Sequence, residues 1–231
     1  MTVTVVTGAN KGLGYETARR LVAEGHTVYA AARDPDRAGR AARELGARPL
    51  LLDVTDEESV RRAAAHVADA HGALDVLVNN AGVNGGMKAV GDCTAADMTA
   101  VLDTNVVGIV RVLHAFLPLL GRSAAGVVVN VGSGLGSFGR VHDAARAESR
   151  VSSVPYTASK AAVSMLTVQY ARAYPGLRVN VVDPGPTATD LNGHQGVQTV
   201  EEGAEPIVRA ALLGPDGPTG AFLDGDGVSP W

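Results

Sequence analysis

Apolar residues fall into short, almost unbroken runs separated by longer stretches of mixed character. The runs are VTVVTG (3–8), TVYAAAR (27–33), RPLLLDV (48–54), LDVLVNNAG (74–82), GVVVNVGS (126–133), LRVNVVDPG (177–185) and GAFLDGDG (220–227). Continuous rather than alternating apolarity is the pattern of strands buried on both faces. Between them the spacing predicts helices near 11–24, 35–46, 56–71, 95–120, 155–173 and 200–213. Asp56, Glu57 and Glu58 place negative charge in a first helical turn, where the macrodipole favours it. Gly25, Gly46 and Gly72 fall where helices should stop. Strand–helix alternation along the whole chain predicts one α/β domain, 1–231. Its core would be a doubly wound parallel sheet of about seven strands with helices on both faces.

Composition fits a globular domain with a substantial core, at 46% hydrophobic and 19% charged residues over 231 positions. Net charge is −4 without runs of like sign. That argues against nucleic acid or an anionic membrane surface as partner. The N-terminal residues carry no basic segment ahead of an apolar one, so no signal peptide is expected. No membrane span is expected either, because the most apolar stretch, Val106 to Leu120, is broken by Arg111, His114 and Pro118. A lone cysteine, Cys93, gives neither an internal disulfide nor a metal cluster. The expectation is a soluble, cytoplasmic enzyme or binding protein.

The first strand runs directly into Thr7-Gly8-Ala9-Asn10-Lys11-Gly12-Leu13-Gly14, and a helix follows. Glycines at such a junction let the backbone approach a pyrophosphate closely. The helix N-terminus then supplies free N–H groups and a positive dipole end. The spacing Gly-x3-Gly-x-Gly is not that of a nucleoside triphosphate loop, and between strand and helix it points to a dinucleotide.

Lysine is scarce: positions 11, 88 and 160 hold the only three among twenty basic residues, the rest being arginine. Lys160 stands four residues after Tyr156 in YTASK, so the two share one helix face. A phenol ordinarily titrates near 10. An ammonium beside it should favour the phenolate and bring the acid toward working pH. A compact ammonium with three donors can also reach ribose hydroxyls, which a planar guanidinium does less well.

TGANKGLG, Asp53-Val54, NNAG (79–82), TNVVG around Asn105, NVGSG around Ser133, YTASK and PGPTATD (184–190) occur in that order. Together they resemble the short-chain dehydrogenase/reductase family over essentially the whole chain. GANKGLG, AARD, TVEEGAEPIVRAAL and the ending GPTGAFLDGDGVSPW are similar to the carbonyl-reductase branch. The resemblance implies a Rossmann-type fold and a hydride-transferring oxidoreductase acting on a small carbonyl or alcohol. It implies catalytic roles for Asn105, Ser133, Tyr156 and Lys160. Ser133 would hydrogen-bond the substrate oxygen, and Asn105 would brace the neighbouring helix and hold a water beside Lys160. Cofactor contacts would come from Gly8, Asn10, Lys11, Gly12, Leu13, Gly14, Arg33, Asp53, Val54, Asn80, Ala81, Gly82, Tyr156, Lys160, Pro184, Gly185, Thr187 and Thr189. No metal is implied.

Specificity for the cofactor turns on the end of the second strand. A carboxylate there would accept from the adenine ribose of NAD, but the position falls at Ala32. Arg33 follows and Lys11 stands nearby, a pair suited to the 2′-phosphate of NADP(H). Asp34 is placed to neutralise Arg33 or to meet a ribose hydroxyl.

Ser133 and Tyr156 are separated by 22 residues, more than in many members of the family. The surplus at 139–150 is charged and rich in Ala and Arg. It is expected to be a surface insertion near the substrate entrance, with His142 solvated. The substrate loop, 186–199, is short and polar, which suggests an open cleft. Ala161 to Ala171 contains no charged residue, so a homo-oligomer, dimer or tetramer, is expected. A longer insertion in carbonyl reductases accompanies a monomeric state, which opposes this. Two other function classes remain: a non-catalytic dinucleotide-binding redox sensor, which would not need Ser133, Tyr156 and Lys160 together, and an epimerase or lyase on the same fold.

Overall fold

The computed structural model describes residues 1–86 and 88–231. In chain order the elements are β1 (Val3–Thr7), α1 (Gly12–Ala23), β2 (Thr27–Ala32), α2 (Pro35–Leu45), β3 (Arg48–Leu51), α3 (Glu57–His71) and β4 (Val76–Asn79). There follow α4 (Ala95–Leu102), α5 (Gly108–Leu120), β5 (Val127–Val131), α6 (Phe138–His142), α7 (Val154–Ala173) and β6 (Arg178–Val182). α8 (Val200–Ala211), β7 (Phe222–Asp224) and β8 (Gly227–Ser229) complete the chain.

One sheet holds all eight strands in the order β3-β2-β1-β4-β5-β6-β7-β8. Every pairing from β3 to β7 is parallel. The expectation of about seven strands is one short: β8 turns back antiparallel on β7 at the edge. Only three residues form it, and Val228 is exposed, so no apolar run announced it. The order reverses beside β1, and at such a switch point ligands bind beyond the carboxyl ends of the strands.

β1, β4 and β5 are buried at every position, which accounts for their unbroken apolarity. Val5, Leu77, Val128 and Val181 join Phe116 and Leu113 on one face of the sheet. Val6, Val78, Val129 and Ile207 pack with Leu21 on the other. Each fully buried side chain of this size contributes ~1.5–3 kcal/mol.

α4 and α5 run on through a π-helical turn, Asp103–Val107. The continuous stretch Ala95–Leu120 is therefore long and apolar enough to cross a membrane by length and composition, contrary to the reading of the sequence. In this fold its apolar stripe lies on the sheet, with Val112, Leu113, Phe116 and Leu120 fully buried. Arg111 pairs with Asp103 at 2.7 Å across the π turn.

Candidate active site

The glycine-rich loop, Asp34, the Asp53-Val54 turn, Asn80 and α7 surround one cleft of about 610 Å³ at the carboxyl ends of the strands. Of the expected cofactor residues, Gly8, Asn10, Lys11, Gly12, Leu13, Gly14, Arg33, Asp53, Val54, Asn80, Ala81, Gly82, Tyr156, Lys160, Pro184 and Thr189 line it. Gly185 and Thr187 do not. Thr187 is buried, and its hydroxyl lies against the carbonyls of Pro184 and Gly185. Asn105, which is buried, and Ser133, which is half-buried, are not among the lining residues.

The loop is built for close approach. A Cβ on Gly14 would lie 2.3 Å from Asn80 Nδ2 and 2.6 Å from the Gly8 carbonyl, so only glycine lets the helix begin there. Asn80 Nδ2 donates to the carbonyl of Thr7 at 2.8 Å, tying β4 to the loop. Thr7, which sequence reasoning passed over, completes this corner: its hydroxyl accepts from the N–H groups of Asn80 and Ala81 at 2.9 and 3.0 Å. α1 thus points its free N–H groups into the cleft, as an anion requires.

At the adenine end Arg33 is exposed, and it has no carboxylate partner among the described residues. Asp34 is occupied otherwise: it caps α2, accepting from Arg37 N–H at 3.0 Å. Arg37 also faces the cleft, a second arginine that the sequence did not single out. Its signal was present in Asp34-Pro35, a helix start that brings position 37 round to the same side. Lys11 reaches across the cleft mouth to Asp190 at 2.6 Å, and His194 pairs with the same carboxylate at 2.8 Å. Asp53 is held by its own turn, with Oδ1 accepting from the hydroxyl and N–H of Thr55. The residues present fit a dinucleotide: a glycine-rich loop packed tightly against Asn80 at the start of α1, with Arg33 and Arg37 lining the same cleft.

At the opposite end α7 begins at Val154 with Pro155 in its first turn, where its missing N–H is harmless. Tyr156 and Lys160 follow on one face. Lys160 is buried and donates to the carbonyl of Val131 at 2.8 Å, and its Nζ lies 5.5 Å from the centre of the Tyr156 ring. Ser133 stands two residues past β5 and caps the next turn, its hydroxyl accepting from Leu135 N–H at 3.2 Å. Gly136 allows that turn to touch α7: a Cβ there would sit 2.5 Å from the carbonyl carbon of Lys160.

Asn105 lies in the π turn, a device that re-aims a side chain within a helix. It accepts from Val83 N–H at 2.8 Å and donates to the carbonyl of Val83 and the hydroxyl of Ser159, each at 2.9 Å. Ser159 in turn donates to the carbonyl of Tyr156 at 2.7 Å. Asn105 is therefore tied through Ser159 to the start of α7.

The electrostatics correct one expectation. Burial pushes the Tyr156 phenol up to about 12; a hydrogen bond with Ser133 pulls it down and the Asp183 carboxylate adds to the rise. Burial also pushes the Lys160 ammonium down to about 8, against Asp183, which raises it. The expected lowering of the phenol is not seen here: burial dominates, and the Lys160 ammonium donates to the Val131 carbonyl. At neutral pH the phenol carries its proton, the form that a reduction consumes.

The insertion is less superficial than expected. His142 is exposed, but Arg140 of α6 is buried and pairs with Asp183 at 2.7 Å.

A parallel sheet with a dinucleotide loop at its switch point, and a Ser-Tyr-Lys constellation across the cleft, defines a class of nicotinamide-dependent oxidoreductases. The family model for short chain dehydrogenase matches residues 2–199, and the chain belongs to that family. It is 33% identical to (+)-neomenthol dehydrogenase of Arabidopsis thaliana, over 97% of this chain and 96% of that protein. It is also 33% identical to an NADPH-dependent pterin aldehyde reductase of the same plant, over 81% and 75%. Among solved structures, NADPH-bound carbonyl reductase from chicken fatty liver superposes with a TM-score of 0.88 at 29% identity, over the full length of both chains.

Proposed function

We propose that this oxidoreductase reduces a ketone or aldehyde to an alcohol with NADPH, in the manner of the carbonyl-reductase branch. The observation that carries the reading is that Tyr156, hydrogen-bonded to Ser133, and Lys160 stand in the same cleft as the glycine-rich loop and Arg33. NADPH would be held by Gly8, Asn10 and Gly12 to Gly14 at its phosphates, by Asp53 and Val54 at the adenine, and by Lys11 and Arg33 at the 2′-phosphate. It supplies hydride from its nicotinamide ring. Ser133 hydrogen-bonds the carbonyl oxygen and orients it. Tyr156 delivers the proton to that oxygen, and Lys160 holds the ribose side of the cleft. The relatives described as NADPH-dependent or NADPH-bound support the cofactor choice, as does Ala32 where a carboxylate would select NADH.

The test is NADPH absorbance with a panel of ketones and aldehydes. Tyr156→Phe should cut kcat by a factor on the order of a hundred or more while NADPH binding stays within about threefold. A variant keeping more than about a tenth of kcat would remove Tyr156 from the proton-donor role.

A further inference from the structure

Arg140 is a buried guanidinium that the proposed chemistry leaves unused. Its Nη1 lies 2.7 Å from Asp183 Oδ2 and 3.6 Å from Glu148 Oε1. Its Nη2 bonds Asp224 of β7 and, at 2.5 Å, the Ser229 hydroxyl of β8. The guanidinium also lies over the Phe222 ring, 5.1 Å from its centre. Four segments far apart in sequence therefore meet at one side chain: α6, the Glu148 turn, the end of β6 and the β7–β8 hairpin.

Asp183 passes this grip to the reacting end of the cleft. Its Oδ1 accepts from Gly185 N–H at 3.0 Å, and the carboxylate also accepts from Gly134 N–H. One carboxylate thus bridges the residue after Ser133 and the turn after Pro184. The space is tight, since a Cβ on Gly134 would come 2.9 Å from Asp183 Oδ2. A buried carboxylate persists as an anion only when paired and hydrogen-bonded, and Arg140 is the partner here.

We propose that Arg140 and Asp183 are positioning residues for the reducing centre: Arg140 fixes Asp183, and Asp183 fixes the Ser133 turn against the Pro184-Gly185 turn. The assignment rests on Tyr156 being the proton donor. Asp183 has a second effect through its charge. The ionisable groups around it are Arg140 of α6, Arg146 and Glu148 of the following turn, Asp224 of β7, and Tyr156 and Lys160 of α7. Burial is the larger cause of the raised Tyr156 phenol, and the negative charge of Asp183 adds to it. Removing that charge lets both the Lys160 ammonium and the phenol titrate at lower pH.

The test compares wild type, Tyr156→Phe, Arg140→Met, Arg140→Lys and the isosteric Asp183→Asn in NADPH-dependent carbonyl reduction. Asp183→Asn should lower kcat about tenfold or more while KM for NADPH stays within about threefold, because a displaced serine turn harms the transition state more than cofactor binding. The basic limb of its pH–kcat profile should move to lower pH. Arg140→Met should lower kcat to a similar degree, and Arg140→Lys should recover part of it. Should Arg140→Met fail to fold, Asp183→Asn alone decides. If its kcat stays within about twofold of wild type and the basic limb does not move, the pair is structural only and the proposal falls, whatever happens to Tm. If Tyr156→Phe retains activity, the proton-donor reading itself fails and takes the assignment with it.

Discussion

Lys160 shows how one residue can be costly to the fold and still be kept. Its folded pKa of about 8 lies below the 10.5 of a free lysine. Between those values the unfolded chain binds more protons, so stability rises with pH across that window. Below about pH 8 the cost is fully present, at ~3 kcal/mol. Tyr156 acts with the opposite sign: its pKa, raised to about 12, removes stability as pH climbs from 10 to 12. Lys160→Met should therefore stabilise the protein at pH 7 by ~1–2 kcal/mol, after ~1 kcal/mol is lost at the unpaired Val131 carbonyl. The gain should fade by pH 10, and urea titrations at both values check this. The proposed cofactor preference rests on Arg33 and on Lys11, which would have to leave Asp190 to reach a phosphate. Lys11→Ala with Arg33→Ala should erode the NADPH-over-NADH ratio of kcat/KM by ~1–3 kcal/mol for each lost contact. An unchanged ratio would assign the preference elsewhere, Arg37 being the nearest candidate. Lys11, Arg33, Tyr156 and Lys160 were legible because each belongs to a local motif. Arg140 was not, since its partners Asp183 and Asp224 lie 43 and 84 residues away and nothing local marks them.

At the scale of elements, the helices could be read where a cap or stop stands in the sequence. Asp34 and Asp56 cap α2 and α3, and Gly46 and Gly72 close them in the left-handed conformation. The π turn between α4 and α5 was read as uninterrupted helix, because the chain stays helical on both sides of it and no side-chain cap marks either end. β8 was missed for a related reason, being too short and exposed to carry a period. The contact of the Ser133 turn with α7 depends on one position. Gly136→Ala would place a methyl group 2.5 Å from the carbonyl carbon of Lys160 and 2.7 Å from the nitrogen of Ala161, backbone atoms that cannot step aside alone. A loss of ~1–3 kcal/mol is expected, as a lower urea midpoint at unchanged slope. kcat should fall with it, since the turn carries Ser133. A variant as stable as wild type would mean that the turn and helix slide apart freely.

Across the whole molecule, the outer faces of α5 and α7 remain apolar where a solvated helix would be charged. Met165 is 59% exposed, and Val107 and Val110 stand open on the neighbouring helix. This favours association through those helices, and light scattering should give a multiple of 23.6 kDa. Met165→Arg should shift the mass toward the monomer. A wild-type mass near 23.6 kDa would show that the apolar faces stay uncovered in solution. The sheet order has a further consequence, for how the chain reaches this state. β1 pairs with β4, matching Thr4 with Val76, so the centre of the sheet closes a loop of 72 residues. The glycine turn follows β1 and Asn80 follows β4, so the cradle does not exist before that closure. A nucleotide has nothing to grip in a chain still searching for this pairing, and cannot serve as a template for it. It acts only on the finished core, where it slows escape rather than hastening arrival.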